Sequence, residues 1–289
     1  MNGRSEKSVR IYPKGEGVTE KTGQELLRDI DDCALPEGAL AFWWLGQMSF
    51  VVKVGDLVLY VDPYLAERDT RLVAPLLDAT RIRNADYVLC SHDHGDHLDP
   101  VATMGIAVAS PRAAYVCSAA SAAHLGALGI DEQRIISLDG DTVFQRGELA
   151  ITAIPAAHEG LDHQVDLGYP HLSFVVEHGS VCLYMSGDSL CYDGMPARLS
   201  GYSFDLAVVP INGRDGERLR RGCIGNMTCQ EAVDLVGLLH PRLAVPGHYD
   251  MFANNPGDVS LFAEYMDVKY PDVPYWIGKH GERVILPAE

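Results

Sequence analysis

From Ala41 onward, short apolar runs alternate with turn residues at strand-like spacing. "AFWWLG", "SFVVKV" and "LVLYVDPY" read as three strands, the last two joined by a turn at Gly55-Asp56. "ADYVLC" is apolar throughout, as a strand buried on both faces would be. The alanine-rich stretch 101–130 reads as two helices flanking the strand "AYVCS". "RIISL", "TVFQRG" and "LAITAIPA" read as strands, and "HLSFVVEHGSVCLYMSGD" as a hairpin turning at His178-Gly179. "FDLAVVPIN" is another buried strand. "TCQEAVDLVGLLHP" is a helix with Thr228 and Glu231 in capping-box spacing, stopped by Pro241. "RLAVPGHY" is a strand, 256–270 a helix, and "YWIGKHGERVIL" a closing hairpin. Before this region lies a polar segment with one helix near Thr19–Asp31. The pattern divides the chain into an N-terminal extension, 1–38, and one domain, 39–289. Strands followed by mixed strands and helices, twice over, predict an α/β fold: a four-layered αββα sandwich of two mixed sheets with external helices.

Charge narrows the partners. The 289-residue chain carries a formal net charge of -17, and its basic residues are scattered. Such a chain is repelled by phosphate backbones and anionic bilayers, so nucleic acid and membrane are disfavoured as partners. A small molecule, including an anionic one in a local pocket, is not excluded, and neither is a homo-oligomer. Seven cysteines without a CxxC pair, several inside apolar runs, suit free thiols in a reducing compartment. The opening residues hold no apolar signal segment, and the expected location is the cytoplasm.

The chemistry is concentrated in "SHDHGDH", where His92, His94, Asp96 and His97 fall within six residues around Gly95. In extended chain, positions i and i+2 point the same way, so His92 and His94 can grip one ion together. Gly95 permits a sharp turn, after which Asp96 and His97 face a second position. Imidazoles and a carboxylate suit borderline divalent ions. Two coordination spheres need more ligands, and the strand ends supply them: His158 after "ITAIPAA", Asp188 after "CLYMSG" and His248 after "LAVPG". Each follows a buried strand and a small residue.

The ordered set HxHxDH, lone His, "SGD" and late "GH" resembles the metallo-β-lactamase superfamily over roughly Ala41 to the C-terminus. The resemblance implies that His92, His94 and His158 bind one metal. It implies that Asp96, His97 and His248 bind a second, that Asp188 bridges the two, and that Asp62 in "VDPY" supports a ligand. Two divalent ions, manganese or zinc with iron also compatible, would make hydroxide available between them for hydrolysis. Asp96 and Asp188 are candidates to handle the proton, and Tyr249 to donate to the oxyanion or leaving group. "PINGRDGERLRRGCIGNMTCQEAVDL" and "VPGHYDMFANNPGD" resemble the L-ascorbate-6-phosphate lactonase-like branch. That implies a lactonase on a phosphorylated sugar acid, with Arg214 meeting the phosphate and Asn212, Asn255 and Arg218 as further substrate contacts. A phosphodiesterase acting on a small cyclic or diester phosphate is the alternative. Of the other histidines, His178 and His280 read as turn residues, and His240 as a helix C-terminus. His124 falls in an alanine-rich helix. His163 and His171, just past His158, are candidates to line the site.

Overall fold

A computed structural model describes residues 21–286. The first half runs through α1 (Gly23–Asp31), β1 (Leu40–Gly46), β2 (Ser49–Val54), β3 (Leu57–Val61), β4 (Tyr87–Leu89), α2 (Pro100–Ala109), β5 (Ala114–Ser118), α3 (Ala119–Ala127) and β6 (Ile135–Leu138). The second half holds β7 (Val143–Arg146), β8 (Leu149–Pro155), β9 (Leu172–His178), β10 (Val181–Met185), α4 (Met195–Leu199), β11 (Leu206–Pro210), α5 (Gly216–Arg220), α6 (Cys229–Leu239), β12 (Leu243–Gly247), α7 (Val259–Lys269) and β13 (Arg283–Leu286). One sheet has the order β13-β1-β2-β3-β4-β5-β6 and the other β12-β11-β10-β9-β8-β7. Both are mixed. β3 through β6 run parallel, as do β10 through β12, and the remaining pairs are antiparallel.

Side-chain alternation explains why four layers form. Along β1, Leu40, Phe42 and Trp44 point between the sheets, while Ala41, Trp43 and Leu45 point outward beneath α1 and α2. Along β10, Val181, Leu183 and Met185 face the other sheet, and Cys182 and Tyr184 face α4, α6 and α7. A strand apolar on both faces must be covered twice, so each sheet takes helices on its outer side. The α/β sandwich expected from the pattern is the fold observed.

Four local expectations need adjusting. Helix α1 starts at Gly23 (Thr19 lies outside the described residues) and is built into the domain. Leu26, Leu27 and Ile30 enter the outer core, Asp29 accepts the Trp43 indole N–H at 2.8 Å, and Lys53 Nζ donates to the Ile30 carbonyl at 2.9 Å. The closing segment is not a hairpin. Tyr275 bridges Ala244 of β12, whereas β13 pairs with β1 across the sandwich. Between them Trp276 is drawn into the core, edge-on to Phe42 at 5.3 Å and Trp44 at 6.3 Å, and that burial outweighs local pairing. Gly95 has no positive φ, and a Cβ there would meet open space. The turn through 94–98 is made instead by the His94 carbonyl, which accepts the N–H groups of His97 and Leu98. Two short helices, α4 and α5, had no signal in the pattern. The capping box of α6 is formed by Thr228 and Glu231, and His240 ends that helix in left-handed geometry at φ 48°.

Candidate metal centre

Loops at the carboxyl ends of β3, β4, β8, β10 and β12 meet at one edge of the sandwich, carrying Asp62, 91–97, His158, Asp188 and His248. Strand ends are rigid, and a group placed just past one inherits its position from the buried sheet behind it. Gly187 shows how close the approach is. Its φ is 55°, and a Cβ there would stand 2.6 Å from the Cβ of Ser91, the residue before His92.

Three overlapping groups of potential ligand atoms result: His92, His94 and His158; His92, His97 and Asp188; and Asp96, His97 and His248. Within each, the atoms lie within 4.8 Å of one another. Asp188 faces both halves, with Oδ1 3.3 Å from His97 Nε2, and Oδ2 3.0 Å from His248 Nε2 and 3.7 Å from His158 Nε2. Asp96 Oδ2 stands 3.7 Å from His97 Nε2 and 3.9 Å from His248 Nε2. Bonds of ~2.0–2.2 Å to a four-coordinate ion place its ligand atoms roughly 3–4 Å apart, which these separations match. His97 Nε2 and Asp188 Oδ1 are also buried without a hydrogen-bond partner among the described residues. Buried polar atoms left so are costly unless something else satisfies them. The seven residues therefore fit divalent ions.

The charges divide the cluster. Burial opposes charge on His97, but Asp188, Asp96 and Asp62 override it and hold this imidazole well above its usual value. His248 is raised in the same way, against burial, mainly by Asp188. Asp188 itself is driven well below the carboxylate range, because His248 and His97 outweigh its desolvation. His92 and His158 go the other way. Burial, aided by the neighbouring imidazoles, keeps both neutral, with His158 lowered to about 4. Without an ion, protons on His97 and His248 balance Asp188, while His92 and His158 stay neutral and ready to bind.

Around these groups stands a supporting shell. Asp62, 1% exposed and at φ 43°, accepts the Ser91 N–H at 2.7 Å, the Ser91 hydroxyl at 2.7 Å and the Nδ1–H of His97 at 2.8 Å. That last bond leaves His97 Nε2 facing the site, the usual arrangement behind a metal-binding imidazole. His158 Nδ1 lies 3.3 Å from the Gly225 carbonyl. Four of the non-glycine residues at positive φ cluster here: Gln47, Asp62, Glu159 and His248. Backbone held in that region costs about 1–3 kcal/mol per residue and persists where surrounding contacts dictate it.

The remaining candidates are placed as follows. Arg214 sets its fork on Glu231, at 2.5 and 2.7 Å, and covers Gly225, where a Cβ would meet the Arg214 Cβ at 2.5 Å. Asn212 donates to Asn255 at 3.1 Å and accepts from Asn226 at 3.1 Å, and Arg218 Nε reaches Asn255 at 3.1 Å. These four are thus tied into the loops after β11 and β12. The Tyr249 ring packs on Trp44 at 5.2 Å, and burial raises its phenol so that it stays protonated. His171 lines the centre, its ring 5.3 Å from His92 and 5.4 Å from His158, whereas His163 lies against Tyr169 at 4.7 Å. His280 is no plain turn residue: its ring packs against Trp44 at 4.3 Å, tilted by 36°, and its Nε2 is 2.6 Å from Asp250 Oδ2.

The profile of a family described as a β-lactamase superfamily domain matches residues 58–249, two thirds of the chain. The chain belongs to that family. A UPF0173 metal-dependent hydrolase of Caldivirga maquilingensis is 26% identical over 85% of this chain and 98% of its own length. Another, of Heliobacterium modesticaldum, is 29% identical over 76% of this chain and 86% of its own. Among solved structures, Igni18, described as a novel metallo hydrolase from Ignicoccus hospitalis, superposes with a TM-score of 0.68. The two share 20% identity over 87% of this chain and 100% of the other, so the likeness is one of fold.

In this superfamily domain one polar residue beside the ligands belongs to no ligand motif in the sequence. Gln47, 1% exposed, donates from its carboxamide to Asp96 Oδ2 at 2.7 Å and lies 2.9 Å from His248 Nε2. It obeys the same grammar as His248, a buried strand followed by glycine, because β1 ends at Gly46. A neutral amide between two strands simply carries no chemical signal of its own.

Proposed function

We propose that the chain is a dinuclear metal-dependent hydrolase, acting as a lactonase on a sugar-acid lactone, in the phosphorylated or the free form. The observation that carries the reading is the convergence of His92, His94 and His158 beside Asp96, His97 and His248, with Asp188 touching both sets. Two manganese or zinc ions held there would acidify water and polarise a substrate oxygen. The chain's own groups divide the remaining work. Asp188, 4% exposed and held ionised, orients the ligands on either side of it. Asp96, with 23% of its side chain exposed, is the carboxylate with solvent access to take up and release a proton. Tyr249, kept protonated, is the donor on the His248 side.

Asn212, Asn255 and Arg218 are the amide and guanidinium groups that would meet a hydroxyl-rich substrate, and they reach it only by giving up bonds they make with one another and with Asp215 and Pro256. Arg214 reaches a phosphate only by exchanging Glu231 for it. Five buried free cysteines support a cytoplasmic setting, and no helix among the described residues is long and apolar enough to cross a membrane. Manganese- and zinc-loaded protein should open γ- and δ-lactones of sugar acids. Turnover of a chromogenic phosphodiester alone overturns the lactonase reading in favour of the phosphodiesterase, and inactivity on both substrate classes overturns the hydrolase.

A further inference from the structure

We propose that Gln47 supplies an additional ligand to the second metal position, through the oxygen of its carboxamide; this rests on the dinuclear reading above. Its backbone is locked. The N–H donates to Asp250 Oδ1 at 3.0 Å, and the carbonyl accepts both the His248 N–H at 3.1 Å and the Trp44 indole N–H at 3.0 Å. The left-handed φ of 56°, which an L residue adopts at a cost, is what aims the side chain inward. Asp250 is itself fixed by His280, and His280 by packing against Trp44. A glutamine held so firmly is placed for a purpose that a solvent-facing turn does not require.

The position of its head group decides what that purpose is. Nε2 stands 2.7 Å from Asp96 Oδ2 and 2.9 Å from His248 Nε2, and those two atoms are 3.9 Å apart. A point at those distances lies roughly 2 Å from the line joining the two ligand atoms. A cation bound to both at ~2.1 Å lies roughly 0.8 Å from that line, so wherever it sits around the line the amide head group is within roughly 3 Å of it. Without an ion, the NH2 end faces inward, because it donates to the Asp96 carboxylate, whereas an amide oxygen there would face like charge. A cation reverses that preference. A half-turn about the last torsion exchanges nitrogen for oxygen without changing the shape of the group. The amide oxygen adds a ligand without adding negative charge to a centre that already holds Asp96 and Asp188.

The test is calorimetric titration of chelator-stripped protein with Mn(II) alone and with Zn(II) alone, in wild type, Gln47→Ala, Gln47→Gly and Gln47→Glu. Glycine accepts the positive φ, so Gln47→Gly removes the side chain while relieving the backbone, and thermal melts check that each variant is folded. Loss of the ligand should weaken the second binding step about tenfold or more and leave the first unchanged. Gln47→Glu should retain or tighten that step, since a carboxylate oxygen replaces the amide oxygen. Were the residue only a prop for Asp96, Gln47→Glu would repel that carboxylate and weaken binding as Gln47→Gly does, which overturns the proposal. Wild type taking two ions while the alanine and glycine variants bind both unchanged or more tightly overturns it as well. Wild type taking a single ion overturns the dinuclear reading, and this one with it.

Discussion

Replacing Asp62 by asparagine tests how the proposed second metal position is built, because the change conserves volume and alters one hydrogen-bond sense. Oδ1 of Asp62 accepts the Ser91 backbone N–H, which cannot be turned, so the asparagine oxygen must occupy that place. Its NH2 then stands where Oδ2 accepts from the Ser91 hydroxyl and His97 Nδ1. Serine adapts by rotating its hydroxyl. His97 adapts only by presenting a bare Nδ1, which puts its proton on Nε2, where the ion would bind. One charge-assisted hydrogen bond is exchanged for a neutral one, a loss of about 1 kcal/mol from a typical ~5–15 kcal/mol of stability. The protein should therefore stay folded. Loss of such a supporting partner weakens metal binding by about 10–100-fold, equivalent to roughly 1.4–2.8 kcal/mol. Urea denaturation with chelator present measures the first quantity, and Mn(II) titration the second. Unchanged binding of the second ion would refute the tautomer argument. Equal weakening of both ions would show instead that Asp62 merely holds the 91–97 loop.

Three further outcomes follow from the same geometry. Gly187→Ala forces a Cβ against Ser91 at a left-handed backbone position, and should lower stability by roughly 2–4 kcal/mol in a denaturant melt, with loss of metal retention. Thr228→Ala removes the capping box of α6 and should cost about 1 kcal/mol, with metal stoichiometry unchanged on titration. Chelated protein should be most stable near the unfolded histidine value of about 6.5. Above it, His97 and His248 keep protons that the unfolded chain has lost, so stability falls as pH rises through their raised values. Below it, the unfolded chain takes up protons that His92 and His158 refuse, so stability falls again toward about 4. Urea melts from pH 5 to 9 that change in one direction only would contradict this assignment.

The sandwich was legible because most of its strands are apolar on both faces, and His158, Asp188 and His248 because each falls one to three residues past a buried strand. Asp188 and His248 could be found from "SGD" and "GH" for that reason. The closing segment was not legible: whether Trp276 pairs locally or fills the space between sheets depends on Phe42 and Trp44, more than 230 residues earlier. Gln47 was missed because its role comes from a backbone angle and from Asp96, Asp250 and His248, none adjacent to it in the chain. Arg214 shows the opposite limit. A guanidinium in a loop suggests an anion, but α6 places Glu231 against it first, and only folded geometry reveals that pairing.

The central claim is tested most directly by an anomalous difference map from crystals soaked in Mn(II). Two peaks about 3.5–4 Å apart are predicted, one among His92, His94 and His158 and the other among Asp96, His97 and His248, with Asp188 between them. A map with a single peak, or with none at this strand edge, would contradict the account.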